Sequence, residues 1–412
     1  MTNTSIAAAG PAAAGVPDYP MPRAAGCPFD PPPALRELQA GAPITRVRLW
    51  DGSTPWLVTR YDDQRVLLAD PRISSDSMHP HFPNTSPAFK ERRRYGRTFI
   101  TMDDPEHARL RRMVTAPFAI KRVEALRPAI QKIVDGLIDD MLAGPRPADL
   151  VEAFALPVPS LVICDLLGVP YADHGFFQAN SKVLINRNTP VEEALAAQQR
   201  LLGYLDDLLG DKLTQPGDDL LSQVAGRVKA GELTRHDAAM MGQLLLVAGH
   251  ETTANMIALG TLTLLQHPGQ LAVLRETDDP KVIAAAVEEL LRYLTIVHSG
   301  RRRVALEDIE IGGQVIRAGE AVIMANDIGN RDPAAFGDPD RLDIGRDARA
   351  HVAFGFGVHQ CLGQNLARVE LQVVYGTLYR RIPTLRLAAD LDQVPFKHDG
   401  LVYGVYELPV TW

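Results

Sequence analysis

The stretch from Thr234 to Gln266 contains no proline, and its leucines, methionines and alanines keep helical spacing. Thr234 followed by Asp237 supplies a capping pair at its start. The spacing predicts one helix of about 30 residues, about 45 Å long, enough to traverse a whole domain. Its most hydrophobic part, Met240–Ala248, is stopped by Gly249, His250 and Glu251. No apolar run reaches the about 18 residues that a bilayer span requires. Segments at 122–142, 158–167, 192–213 and 279–294 also have helical spacing, and Asp104-Pro105 reads as a cap and first turn. The chain is expected to be mainly α from Asp104 to Leu294.

Around this helical block the pattern changes. Residues 45–50 and 56–59 flank Asp51-Gly52-Ser53 and read as a β-hairpin. After Arg303 the text turns β-like, with Gly312-Gly313 and Ala318-Gly319, before a last long helix expected from Cys361 to Arg381. Pro71–Arg97 shows no period and reads as a long, lid-like loop. No internal repeat or linker divides the interior. Residues 26–412 are expected to form one domain behind a mobile tail at 1–25.

Composition narrows the function without naming it. The 412 residues carry 43 basic and 50 acidic side chains, a net charge of −7, which argues against a general attraction to nucleic acid. Cys27, Cys164 and Cys361 form no CxxC pair and point to a reducing cytoplasm rather than a disulfide scaffold. The N-terminal residues lack the charged start and apolar segment of a signal peptide.

The most informative segment is Phe354-Gly355-Phe356-Gly357-Val358-His359-Gln360-Cys361-Leu362-Gly363. Its glycines let the backbone turn sharply and approach a flat ligand closely. Cys361 is expected at the first turn of a helix, where free N–H groups and the dipole favour a thiolate. A thiolate on a glycine loop, beneath an apolar surface, suits an iron porphyrin. A buried structural cysteine is the alternative, and Cys27 and Cys164 are read that way.

This segment resembles the heme-binding signature FxxGxxxCxG of the cytochrome P450 family, with Phe354, Gly357, Cys361 and Gly363 in register. The resemblance implies a triangular-prism fold, mainly α with small β-sheets. It also implies heme b (iron protoporphyrin IX), with Cys361 as axial iron ligand and His359 reaching a propionate. His107 and Arg111 share a helix face, and Arg303 begins a strand; by the same resemblance they bind the propionates, matching guanidinium to carboxylate. Glu289-Leu290-Leu291-Arg292 resembles the family's ExxR pair, with Arg341 as third member of a network that holds the cysteine loop.

Within the long helix, Ala248-Gly249-His250-Glu251-Thr252-Thr253 places small and polar residues where an apolar helix would have leucine. In the resembled oxygenases an acid–threonine pair lies above the iron. Gly249 and its neighbour would leave room for dioxygen, Thr252 would hydrogen-bond it as it is reduced, and Glu251 would relay protons from solvent. A kink solvated by threonine hydroxyls is the structural alternative. His250-Glu251 begins like the zinc motif HExxH, but Ala254 fills its second histidine position.

The resemblance thus implies a monooxygenase: substrate RH, O2, two electrons and two protons give ROH and water. The substrate is expected to be a largely apolar small molecule, a natural product or xenobiotic. Leu244, Val247, Ala248, Ile296, Val297, Leu401 and Val402 would line its pocket, with part of the 71–97 loop and one polar contact from His298. The heme fold leaves no room for a flavin or iron–sulfur domain. Electrons would come from a ferredoxin and its reductase, docked on Arg109, Arg112, Lys121, Arg122 and Arg368 of a soluble monomer. Two rivals stand beside this reading. A heme-thiolate nitric oxide reductase would take hydride directly from NADH and need no acid–threonine pair; a non-catalytic heme gas sensor would need neither the pair nor a pocket.

Overall fold

The computed structural model describes residues 15–24 and 26–412. In chain order the helices are α1 (Pro33–Gly41), α2 (Tyr61–Ala69), α3 (Pro87–Arg92), α4 (Glu106–Thr115), α5 (Ile120–Ala125), α6 (Arg127–Ala143), α7 (Pro157–Leu167) and α8 (His174–Ile185). They continue with α9 (Val191–Thr214), α10 (Leu220–Lys229), α11 (Arg235–Leu265), α12 (Pro268–Glu276), α13 (Pro280–Leu294), α14 (Asn326–Gly329) and α15 (Gln364–Arg381). The strands are β1 (Ile44–Arg46), β2 (Trp56–Val58), β3 (Ile73–Ser74), β4 (Ala148–Asp149) and β5 (Arg301–Ala305). Then follow β6 (Ile309–Ile311), β7 (Gln314–Ile316), β8 (Ala321–Met324), β9 (Arg386–Leu387) and β10 (Pro409–Thr411).

Helix α11 is the expected rod, 31 residues long. The Asp237 amide donates to Thr234 Oγ1 at 3.0 Å, and that hydroxyl donates to Asp237 Oδ2 at 2.6 Å, fixing its start. Apolar on nearly every side, it can only be stable when surrounded, and α7, α9, α10, α12, α13 and α15 pack on it. The crossing with α15 requires a glycine. A Cβ on Gly260 would lie 2.0 Å from the Tyr375 hydroxyl, which donates to the Met256 carbonyl at 2.6 Å.

The main sheet has the order β1-β2-β8-β5-β3, with β2 and β8 parallel. The expected hairpin is its β1–β2 edge, with Ile44 opposite Val58. Strand alternation on β5 puts Arg301 and Arg303 on one face and Arg302 on the other. Strands β4, β10 and β9 form a second small sheet, and β6–β7 a hairpin.

Several boundaries differ from the expectations. The 71–97 segment is not structureless: β3 pairs with β5, and α3 lies on α9, where Arg92 donates to Gln198 Oε1 at 2.8 Å and to the Leu184 carbonyl at 2.9 Å. Ser86 caps α3, a signal hidden among the prolines. Within the expected 1–25 tail, residues 1–14 and 25 lie outside the described residues, but Asp18 bridges Arg48 and Tyr19 and Met21 are buried. Helix α4 starts at Glu106, and the Asp104 carboxylate accepts from the Ala108 amide at 3.0 Å.

Candidate active site

The cysteine loop is shaped by two glycines. Gly355 and Gly357 have φ of 76° and 73°, in the left-handed region. At Gly357 a Cβ would also meet the Leu68 carbonyl of α2 at 2.4 Å. The Cys361 amide donates to the Phe354 carbonyl at 2.8 Å and closes the loop. Helix α15 begins only at Gln364, so Cys361 precedes the helix rather than occupying its first turn. The cause is local: Gly363 is the N-cap, and the loop's own hydrogen bond holds Cys361 outside the helical path. Burial pushes the Cys361 thiol up, opposed by Arg301, the Gly363 amide, Arg111 and Arg368.

The loop rests on two ion pairs, one partly and one fully buried. Arg368 lies over the Phe354 ring, 4.6 Å from its centroid, and pairs with Glu288 at 2.6 Å. Burial alone would raise the Glu288 carboxyl, but hydrogen bonds from His351 and Arg368 bring it down to about 2. Arg368 therefore belongs to the loop's support and not to a docking surface. Glu289 and Arg292 form a fully buried double hydrogen bond of 2.7 and 2.8 Å. The third member of this network is Arg346, 3.3 Å from Glu289. Arg341 is exposed and pairs with Asp338 and Asp343, correcting the expectation from the ExxR pattern.

A cluster of donors stands beside the loop. The His107 and His359 rings lie 4.1 Å apart, and Arg111 donates to the Gln360 carbonyl at 2.6 Å. Burial, with Arg303, His107 and Arg111 nearby, lowers the His359 pKa to about 3. Arg303 and Arg301 are mutual neighbours, and burial lowers Arg303 to about 10. Arg301 donates to the Ala353 carbonyl at 3.1 Å, at the start of the cysteine loop. Three side-chain nitrogens here are buried without a partner: His107 Nε2, whose Nδ1 faces the Asp104 carboxylate at 2.9 Å, His359 Nδ1 and Arg301 Nε. Sequence reasoning missed Arg301, although the two-residue strand period that marks Arg303 marks it equally.

On α11, Leu244, Val247, Ala248, Gly249 and Thr252 are partly open while the other residues around them are buried. These positions follow a helical stripe, so one face of the rod borders the site. The Thr252 hydroxyl donates to the Ala248 carbonyl at 2.9 Å. Gly249 adjoins this face, and a Cβ there would lie 2.6 Å from Ile163 of α7, so its smallness also serves helix packing. Glu251 is buried and points into a separate cavity of about 240 Å³ with Lys182, Asn255, Lys397 and Tyr406. The 296–297 and 401–402 segments are brought together by the Tyr403 amide, which donates to the Ile296 carbonyl at 2.8 Å. Ile296 and Val402 are buried in the main core, Val297 packs against it, and Leu401 is half-buried, its amide bonded to the Ile185 carbonyl at 2.9 Å. His298 is engaged with the Gly400 carbonyl at 2.9 Å, and burial lowers its pKa to about 3. Its Nε2 is thereby committed to structure.

Comparison with known proteins gives these features a family. Residues 195–382 match the model described as Cytochrome P450. Cytochrome P450 GfsF of Streptomyces halstedii is 59% identical over 100% of both chains. The 20-oxo-5-O-mycaminosyltylactone 23-monooxygenase of Streptomyces fradiae is 45% identical over 97% of this chain and 94% of its own. The chain belongs to the cytochrome P450 family. A crystal structure of the mycinamicin VIII C21 methyl hydroxylase MycCI from Micromonospora griseorubida, bound to mycinamicin VIII, superposes with a TM-score of 0.91 at 42% identity, covering 96% of this chain and 100% of the other.

This P450 is a monooxygenase that works with heme, dioxygen, a redox partner and a small-molecule substrate. The residues present fit a heme. The unpartnered nitrogens of His107, His359 and the Arg301 guanidinium suit acidic side groups, and the glycine loop presents a thiol beside them. Among the described residues no helix is long and apolar enough to cross a membrane.

Proposed function

We propose that this P450 uses heme b, which Cys361 would hold by its iron and His107, Arg111, Arg303 and His359, joined by Arg301, would hold by its propionates. The observation that carries this reading is the set of three buried, unpartnered nitrogens, one of them on a guanidinium, converging beside the Cys361 loop. A group with two carboxylates removes the cost of burying them unpaired. When bound, the heme supplies dioxygen binding and O–O cleavage assisted by thiolate electron density. Thr252, on the open stripe of α11, would offer its hydroxyl to the bound oxygen, and Glu251 would hand on protons from solvent. Leu244, Val247, Ala248, Ile296, Val297, Leu401 and Val402 exclude water and hold an apolar natural product or xenobiotic, whose C–H bond becomes C–OH.

Electrons arrive from a ferredoxin and its reductase on a monomeric enzyme. Arg112, Lys121 and Arg122 are exposed, with the adjoining Ile120 66% exposed, and these form the docking patch. Arg109 is committed elsewhere, to Glu106 and the Glu232 carbonyl. The test is a heme difference spectrum of the purified enzyme over terpenoids, macrolides, steroids and fatty acids, mycinamicin VIII among them. Binding by members of an apolar class, with product formed under a ferredoxin system, supports the reading. Rapid NADH-driven nitric oxide reduction without a partner protein would replace it.

A further inference from the structure

Glu251 faces away from the open stripe of α11, and its surroundings are built in detail. Lys182 Nζ lies 5.3 Å and Lys397 Nζ 5.5 Å from the centroid of the Tyr406 ring, so two ammonium groups share one aromatic ring in the Glu251 cavity. Lys397 and Tyr406 come from the turn 396–406, closed by the Lys397 amide on the Gly404 carbonyl at 2.8 Å. That turn lies directly on α11. A Cβ on Gly404 would sit 1.9 Å from Asn255 Oδ1, and Asn255 Nδ2 donates to the Glu251 carbonyl at 2.6 Å.

The same turn is fastened to the α8–α9 connection. Asp399 accepts from the Tyr406 hydroxyl at 2.7 Å and from Asn186 Nδ2 at 2.8 Å, and its carbonyl accepts from the Arg187 amide at 2.8 Å. The charged and titratable groups around Glu251 are therefore Lys182 from α8, His250 from α11 itself, and Lys397, Asp399 and Tyr406 from the turn. Burial lowers the Lys397 pKa, and Glu251 pulls the other way. An ammonium has three donors with which to order water beside a carboxylate.

We propose that Lys397 is a positioning residue for Glu251: with Lys182 and Tyr406 it forms a hydrated inlet through which solvent protons reach the Glu251 carboxylate, and its turn ties that inlet to the α8–α9 connection. The proposal rests on reading Glu251 as the proton relay. Each proton enters from solvent and leaves toward the site, so Lys397 ends every turnover with its charge unchanged.

Two experiments test it. In the first, acetic anhydride acetylates the holoenzyme at pH 8, and Lys397 reactivity is measured against the exposed Lys281. Glu251→Gln should raise the ratio at least about threefold, because losing the carboxylate frees more neutral amine; an unchanged ratio overturns the coupling. In the second, product is measured from mycinamicin VIII, or from the library compound with the largest spectral change, driven either by NADH with a ferredoxin system or by hydrogen peroxide. The peroxide reaction, RH + H2O2 giving ROH + H2O, consumes no solvent proton. Lys397→Met should lower the NADH-to-peroxide rate ratio about tenfold, and Lys397→Arg should restore it to within about threefold. Equal losses in both reactions would make Lys397 a structural residue and overturn the proposal. A ratio that collapses in Glu251→Gln but not in Lys397→Met defeats the Lys397 proposal alone. A ratio unmoved by Glu251→Gln defeats the relay reading beneath it.

Discussion

Single atoms divide the labour in this site. Cys361 is held by a backbone bond to Phe354 and flanked by Arg301, Arg111 and Arg368, a setting that favours a thiolate once a metal takes the sulfur. Reduced enzyme with carbon monoxide should show the red-shifted Soret band of thiolate ligation, and Cys361→Ser should abolish it; a variant that keeps the band removes Cys361 from the iron. Cys164 is buried in the core, and Cys27 donates to Asp30 at 3.0 Å away from the cluster. Replacing both by serine should leave the Soret absorbance intact. Thr252 carries the only hydroxyl on the open stripe of α11 formed with Leu244, Val247 and Ala248. With Thr252→Ala, substrate binding and oxygen uptake should persist while product per NADH falls about 10²-fold or more and hydrogen peroxide rises. Unchanged coupling would take Thr252 out of oxygen chemistry.

At the scale of elements, glycine placement separates rigid contacts from free surface. Gly260 of α11 has no space for a methyl group against Tyr375 of α15. Gly260→Ala should cost about 1–3 kcal/mol through overpacking, read as a lower thermal midpoint by circular dichroism. Gly226, on the exposed side of α10, has nothing within 4 Å of its Cβ position. Gly226→Ala should instead stabilise by about 0.4–1 kcal/mol, because alanine restricts the unfolded chain without clashing. These contrasts also explain what the sequence made legible. Long periodic segments declared themselves: α6, α7, α9, α11 and α13 stand within a few residues of their expected spans, because period and capping are local properties. Short α3 and two-residue β3 were hidden, since α3 lies on α9 and β3 on β5, partners distant in sequence. At the site, the glycine loop and the helix pair His107–Arg111 were readable from spacing. Arg346, Lys397 and Tyr406 were not, because only the tertiary fold brings them to Glu289 and Glu251.

Over the whole molecule, two buried carboxylates set opposing limits on stability with pH. Glu288, which joins α13 to the cysteine loop through Arg368 and His351, is held at about 2 against an ordinary 4.5. A depressed carboxyl stabilises the fold fully above about 4.5 and loses that contribution as pH falls toward about 2, a change of about 3 kcal/mol. Asp327 behaves in the reverse sense. Both its carboxylate oxygens are buried without partners, and burial raises it from 3.8 to about 6, despite Arg23 and Arg331 nearby. The folded state then favours the neutral acid, so stability declines as pH rises from about 4 to about 6, again by about 3 kcal/mol. The two slopes meet in a maximum near pH 4 for these groups together. Thermal midpoints of the holoenzyme measured from pH 3 to 8 should show each slope separately in variants. Asp327→Asn should raise the midpoint above pH 6 and flatten that side of the profile, since an amide gains no charge there. Glu288→Gln should flatten the acid side and lower the midpoint at neutral pH, because Arg368 loses its buried counter-ion beside Phe354. If the acid limb keeps its slope in Glu288→Gln, the cysteine loop is not what yields first in acid.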